Sequence, residues 1–222
     1  AEARIGEPLE AVLILGDVGL FAPELKRFFR RQAARFTRPV FYIEGNHEDH
    51  DRLTRLTAAY SDVMTHVRRG TVQRVGEWRV LGLGGAAYMD AHMTPMGAEI
   101  TRRDIERCLR QPRSDVDIIA SHDCPDGIGV PGRGGFEHYG PPGFPGGKRM
   151  ADELRPAIWL FGHHHAWFDQ SIRGIRYCGL PQSWRGYGLL GPGPSYEGIS
   201  HSVPPQERGR RRWWPRRRKR KR

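Results

Sequence analysis

Four short apolar runs along the chain each stop abruptly at polar residues. Residues 11–15 run into Gly16-Asp17, residues 39–44 into Gly45-Asn46-His47-Glu48, residues 116–120 into Ser121-His122-Asp123, and residues 157–161 into Gly162-His163-His164-His165. Short apolar stretches rich in β-branched and aromatic residues, bounded by glycine or polar residues, predict strands. A strand that ends in such a cluster hands a loop to a site. Between the strands, residues 23–36 place Leu25, Phe28, Phe29, Ala33 and Phe36 at helical spacing with Pro23 near the start, which predicts an amphipathic covering helix. A second helix running through Tyr60 should pack Leu53, Leu56 and Ala59. Residues 71–75 and 78–83 flank Gly76-Glu77 as a hairpin, and Thr101 N-caps a helix to about Leu109. A short helix over 148–154 and a hairpin over 167–180, turning at Arg173-Gly174, complete an α/β pattern.

Residues 125–147 are dense in Gly and Pro, carry Phe136, His138 and Tyr139, and predict a long irregular loop, either a lid or substrate wall or a mere surface excursion. From about Gly191 the composition turns to Gly, Pro and Ser. The reading is one domain over 1–192, followed by a linker and a disordered basic tail over 193–222. Charge supports that division. Of the 36 Lys and Arg, eleven lie in 208–222, and subtracting them leaves 25 basic against 25 acidic residues. The formal charge of +11 therefore belongs to the tail. That tail could hold phosphate backbones through Arg216, Arg217 and Arg218, with Trp213 and Trp214 for base stacking, or could simply be a solvated end. Cys108, Cys124 and Cys178 form no C-x-x-C pair, which argues against a disulfide framework or thiolate zinc site and favours a reducing compartment. No apolar run approaches the ~18 residues of a spanning helix, so the expectation is a cytoplasmic protein with no membrane partner.

The strand ends supply Asp17, Asn46, His122, His163 and His165, a carboxylate, amide and imidazole set without thiolate. Mixed O/N ligands suit Mn²⁺, Fe or Zn²⁺. His163 and His165, two apart at a strand end, should face one side and His164 the other. Any one of these residues could be structural; their occurrence together at four strand ends points to one ion cluster.

Gly16-Asp17, Gly45-Asn46-His47-Glu48, Ser121-His122 and Gly162-His163-His164-His165, in this order and spacing, resemble the calcineurin-like metallophosphoesterase superfamily, over residues 11 to about 190. The longer element Ser121-His122-Asp123-Cys124-Pro125 is similar to lariat-debranching-type members. The resemblance implies a four-layer α-β-β-α sandwich of two mixed sheets. It implies two divalent metals bridged by Asp17, with Asn46, His122 and His163 at the second and His165 at the first. It also implies a phosphate-ester substrate, monoester or diester, hydrolysed by a metal-bridging hydroxide. Two cations about 3.5–4 Å apart would activate that nucleophile and clamp the phosphoryl oxygens. His47, beside a ligand but not one itself in the family, is the candidate general acid; the alternative is a hydrogen-bonding role alone. Glu48 and Asp123 are expected to orient their histidine neighbours.

The family's earlier D-x-H element has no counterpart before Asp17, where the acids are Glu2, Glu7 and Glu10 and no histidine occurs. The expectation is an N-terminally truncated domain lacking its first strand, with an open sheet edge. That departure keeps two further readings in play: a non-catalytic phosphoesterase-like interaction module, and a nucleic-acid phosphodiesterase or binder aided by the tail.

Overall fold

A computed structural model describes residues 1–132 and 134–201; Arg216, Arg217 and Arg218 of the basic tail lie outside the described residues. The chain runs α1 (Glu2–Ile5), β1 (Val12–Leu15), α2 (Ala22–Leu25), β2 (Val40–Ile43), α3 (Leu53–Ala59), β3 (Thr65–His66), β4 (Val72–Val75), β5 (Trp78–Leu83) and α4 (Arg102–Leu109). It continues through β6 (Ile118–Ser121), α5 (Gly147–Leu154), β7 (Ile158–Phe161), β8 (Phe168–Ile172), β9 (Ile175–Gly179), β10 (Gly186–Leu190) and β11 (Tyr196–Ser200). Strands β1-β2-β3 form a parallel sheet, and β4-β5-β6-β7-β9-β8 form a six-stranded sheet. In the larger sheet β5, β6, β7 and β9 are parallel, while the edge strands β4 and β8 run antiparallel to their neighbours.

Side-chain alternation along these strands decides the layering. Leu13, Leu15 and Phe41 of the small sheet pack with Val80, Ile118, Ala120, Ile158 and Leu160 of the large one, so the two sheets share a core. The opposite face of the small sheet, Ile14, Val40 and Tyr42, packs with Leu25 and Leu56 from α2 and α3. The opposite face of the large sheet, Leu81, Leu83, Ile119, Trp159 and Phe161, packs with Ile105, Cys108, Met150 and Leu154 from α4 and α5. The order α, β, β, α is the expected four-layer sandwich. The expectation of two mixed sheets holds only for the larger; the smaller is wholly parallel among the described residues. All three cysteines are free thiols in the interior. No helix among the described residues is long and apolar enough to cross a membrane.

Three expectations need correction. The helix over 23–36 is α-helical only to Leu25, continues with π-helical hydrogen bonding over Lys26–Arg31, and is over before Ala33 at φ 50°. An i→i+5 pattern rotates a 3.6-period stripe off its face, so Phe28 and Phe36 stand exposed at 42% and 45%. In α3 the buried positions are Leu56 and Thr57, followed by Tyr60, while Ala59 faces solvent. Finally, the linker reading from 193 fails over Tyr196–Ser200, which pairs antiparallel with β10 in register Leu190↔Tyr196. Gly and Pro at 191–194 serve there as the connection between two strands.

Candidate metal centre

The parallel pairings put the carboxyl ends of several strands on one edge: Leu15 opposite Ile43 in the small sheet, and Leu83, Ser121, Phe161 and Gly179 in line across the large one. Loops leaving such an edge are where open α/β sheets place ligands. Two glycines let the loops of the two sheets touch. A Cβ on Gly16, which sits at φ 93°, would lie 2.2 Å from His122 Nδ1, and a Cβ on Gly45 would lie 2.0 Å from Asp17 Oδ1. These glycines were read from sequence only as strand terminators.

Asp17, Asn46, His122 and His163 come together there. His122 Nε2 lies 3.0 Å from Asn46 Oδ1, 3.2 Å from His163 Nδ1 and 3.6 Å from Asp17 Oδ1. His122 Nδ1 is 2.6 Å from the Leu15 carbonyl, which can only accept, so Nδ1 donates and Nε2 faces the cluster. Asn46 is fully buried and its Nδ2 donates to the Met93 carbonyl at 2.6 Å, which turns Oδ1 inward. Burial pushes the His163 imidazole down to about 3, so it is neutral at ordinary pH. Burial also opposes ionisation of Asp17, but the His122 ring and the His47 backbone N–H, 3.1 Å from Oδ1, outweigh it and hold the carboxyl below its ordinary range. Two imidazole nitrogens, an amide oxygen and a carboxylate oxygen thus converge, a donor set that can hold a cation.

His165 follows on the same loop. Its backbone, and those of His163 and Asp17, are in the left-handed region at φ 58°, 57° and 52°. That conformation is rare for residues with a Cβ and collects at functional sites. It also corrects the reason given for the His163/His165 pairing: both residues lie past the end of β7, and strand alternation does not orient them.

The two carboxylates expected to steer their histidine neighbours instead brace neighbouring loops. Glu48 accepts the backbone N–H groups of Val18 and Leu20 at 2.7 and 2.6 Å, clamping the turn that carries Asp17. Burial, with the Asp17 charge added, lifts Glu48 to about 7 against those bonds. Asp123 accepts from Ala87 N–H at 2.9 Å, Cys124 N–H at 2.7 Å and His164 Nε2 at 2.7 Å. Burial works against its charge, but the His164 hydrogen bond and the neighbouring imidazoles keep its carboxyl below the ordinary range. His164 therefore anchors the histidine loop from behind. With Cys124 it brings a carboxylate oxygen, a sulfur and an imidazole nitrogen within 4.8 Å of one another.

Sequence reasoning missed a second buried anchor. Glu44, 2% exposed, precedes Gly45 and receives His66 Nε2 at 2.7 Å and Arg69 Nε at 2.6 Å. Burial alone would raise its carboxyl, but these partners hold it at about 2. Arg69 also donates to the carbonyls of Glu99 and Gly97 at 2.7 and 3.0 Å, tying the end of β2 to the segment that follows Met93. The only available signal was an acid between an apolar run and a glycine. The irregular loop of 125–147 docks here too, through a hydrogen bond from Tyr139 to Asp90. His47 is solvent-exposed, with its ring Nε2 3.4 Å from Asn46 Nδ2.

Residues 3–167 match the family model described as calcineurin-like phosphoesterase. A comparison with curated proteins found no match. Among solved structures, one aligns over 84% of this chain and 85% of its own with a TM-score of 0.55 at 14% identity. Another, from Staphylococcus aureus and in complex with alpha-ketoglutarate, aligns over 80% of this chain and 40% of its own with a TM-score of 0.50 at 14% identity. These likenesses are of fold.

Proposed function

Because the chain belongs to the calcineurin-like phosphoesterase family, we propose that it is a dinuclear, metal-dependent hydrolase of phosphomonoesters or phosphodiesters working at the Asp17–Asn46–His122–His163 cluster. The observation that supports this most directly is the convergence of Asn46 Oδ1, His163 Nδ1 and Asp17 Oδ1 on His122 Nε2, all between 3.0 and 3.6 Å from it. Ligand atoms each ~2.1 Å from one ion and roughly at right angles would be spaced about this far apart. An O/N donor set without thiolate suits Mn²⁺, Fe or Zn²⁺. Divalent cations bound there would supply the charge that neutralises phosphoryl oxygens and activates water.

The chain's own residues do the rest. Asp17 brings the negative charge, and the backbone N–H of His47 fixes its carboxylate. His122 and Asn46 are aimed by the Leu15 and Met93 carbonyls, so their geometry is set before any ligand arrives. The exposed His47 ring is the candidate proton donor to a leaving-group oxygen. Phosphoryl transfer asks mainly for such positioning and charge.

The test is hydrolysis of p-nitrophenyl phosphate and bis(p-nitrophenyl) phosphate by protein stripped with chelator and then titrated with Mn²⁺, Fe²⁺ or Zn²⁺. Activity lost on stripping and restored by one of these metals is the expected result, and the ratio of the two rates assigns monoesterase or diesterase. A folded protein that binds metal yet turns over neither substrate is a binding module, and the enzymatic reading then falls.

A further inference from the structure

Residues 87–94, between β5 and α4, carry none of the sequence motifs, yet they are bonded to two of the loops that bear the ligand cluster. At one end the Ala87 N–H donates to Asp123 Oδ2 at 2.9 Å, and Asp123 is the carboxylate that also holds His164. At the other end the Met93 carbonyl accepts Asn46 Nδ2 at 2.6 Å. The segment between them is a closed turn. Asp90 Oδ1 accepts the backbone N–H groups of His92 and Met93, both at 2.8 Å, and the Asp90 carbonyl accepts Thr94 N–H at 2.8 Å. Thr94, buried, donates its hydroxyl to the Ala87 carbonyl at 3.0 Å and accepts Met89 N–H at 3.2 Å.

The second carboxylate oxygen of Asp90 is held from outside the turn. Asp90 Oδ2 accepts the Tyr139 hydroxyl, 49 residues further along the chain, from the short turn Glu137–Tyr139. That hydroxyl, with the Met93 and His92 N–H groups, keeps the Asp90 carboxyl below its ordinary range, so these bonds are charge-assisted. An unbroken run of contacts therefore leads from Tyr139 through Asp90 and Met93 to Asn46.

The last link decides which amide atom faces His122. The oxygen and nitrogen ends of an amide are alike in size, and only their hydrogen-bond partners tell them apart. The Met93 carbonyl can only accept, so it takes the NH₂ end and leaves Oδ1 3.0 Å from His122 Nε2. With that carbonyl displaced, nothing would keep the NH₂ end out of the cluster, and an amide NH₂ offers protons, not a lone pair, to a cation.

We propose that Asp90 and Tyr139 are positioning residues for the metal centre: Tyr139 docks the Glu137–Tyr139 turn onto the Asp90 turn, which presents the Met93 carbonyl that aims Asn46 Oδ1. Docking of this otherwise irregular segment thereby sets the affinity of the site for its cation. The proposal rests on the metal-dependent reading of the Asp17–Asn46–His122–His163 cluster.

The test is calorimetric titration of chelator-stripped wild type, D90A, D90N and Y139F with Mn²⁺, at a temperature where circular dichroism shows each protein folded. D90A should bind Mn²⁺ ~10–100-fold more weakly, the usual effect of removing a group that orients a ligand. Y139F deletes one hydroxyl and leaves the ring, and should lose about 3–10-fold. D90N should return to within ~3-fold of wild type, because its Oδ1 still accepts from His92 and Met93 and its Nδ2 donates to the Tyr139 oxygen. Folded D90A and Y139F with wild-type Mn²⁺ affinity would overturn the proposal. So would D90N as weak as D90A, since the carboxylate would then act through its charge and not through the turn. If D90A does not fold, Y139F decides. Turnover of p-nitrophenyl phosphate by the same wild-type preparation separates the two levels. A wild type that binds Mn²⁺ and turns over, with unaltered variants, removes this proposal alone, whereas a wild type that neither binds Mn²⁺ nor turns over removes the phosphoesterase reading with it.

Discussion

Replacing Gly45 by alanine probes the convergence of the two sheets more cleanly than replacing a ligand, because every ligand atom remains in the chain. The new methyl carbon would sit 2.0 Å from Asp17 Oδ1 and 2.4 Å from the Asp17 backbone nitrogen, where ordinary contact begins at 3.4 Å. A rotamer change could move the carboxylate away, but not the nitrogen. The Asp17 turn must therefore retreat by about 1 Å, the scale of misplacement that costs ~10²-fold in rate. Gly45 is not in the left-handed region, so backbone strain adds nothing and the destabilisation is that of overpacking, about 1–3 kcal/mol. Glu48 should limit the retreat, since it holds Val18 and Leu20 from the same loop that bears Gly45. The expected outcome for G45A is a folded protein with a lowered melting temperature, ~10–100-fold weaker Mn²⁺ binding and ~10²-fold lower kcat/KM on p-nitrophenyl phosphate. Calorimetric titration, thermal denaturation and steady-state kinetics measure the three. Unchanged Mn²⁺ affinity would show that Asp17 and the Gly45 loop do not meet as described.

Three further outcomes follow from the same contacts. H47A keeps the backbone N–H that Asp17 accepts, so kcat should fall ~10²–10⁴-fold with Mn²⁺ affinity intact; a parallel loss of metal would make His47 structural. H164A removes the donor at 2.7 Å from Asp123 and frees the histidine loop, with ~10–100-fold weaker metal binding expected by titration; wild-type affinity would mean that the loop holds its left-handed backbone unaided. Glu44 has a carboxyl at about 2 in the folded chain against an ordinary 4.5, so its stabilisation, about 3 kcal/mol by linkage, is present above pH 4.5 and lost as pH falls towards 2. Urea melts of E44Q and wild type should therefore differ at pH 7 and draw together below pH 4.5, and a constant gap would contradict the account of Glu44.

The order and type of most elements were already determined by local pattern, which also singled out Asp17, Asn46, His122 and His163, the residues the fold brings together. Strand-forming runs interrupted by Gly-Asp, Gly-Asn-His and Gly-His-x-His are short-range signals, and so is Thr101, whose side chain caps α4 in a reciprocal pair with Asp104. Only tertiary structure decided what depends on distant partners. Asp123 bonds His164 rather than its neighbour His122, because the parallel pairing of β6 with β7 sets those two loops side by side. Residues 191–195 look like the start of a linker until β10 and β11 pair across them. Arg185 carries no motif at all; its place against the His165 carbonyl comes from the register of β9 on β7, a relation between segments that no window of the chain contains. Periodicity and turn chemistry act over a few residues and can be read directly, whereas hydrogen-bond partners at a sheet edge are assigned by which strands pack together.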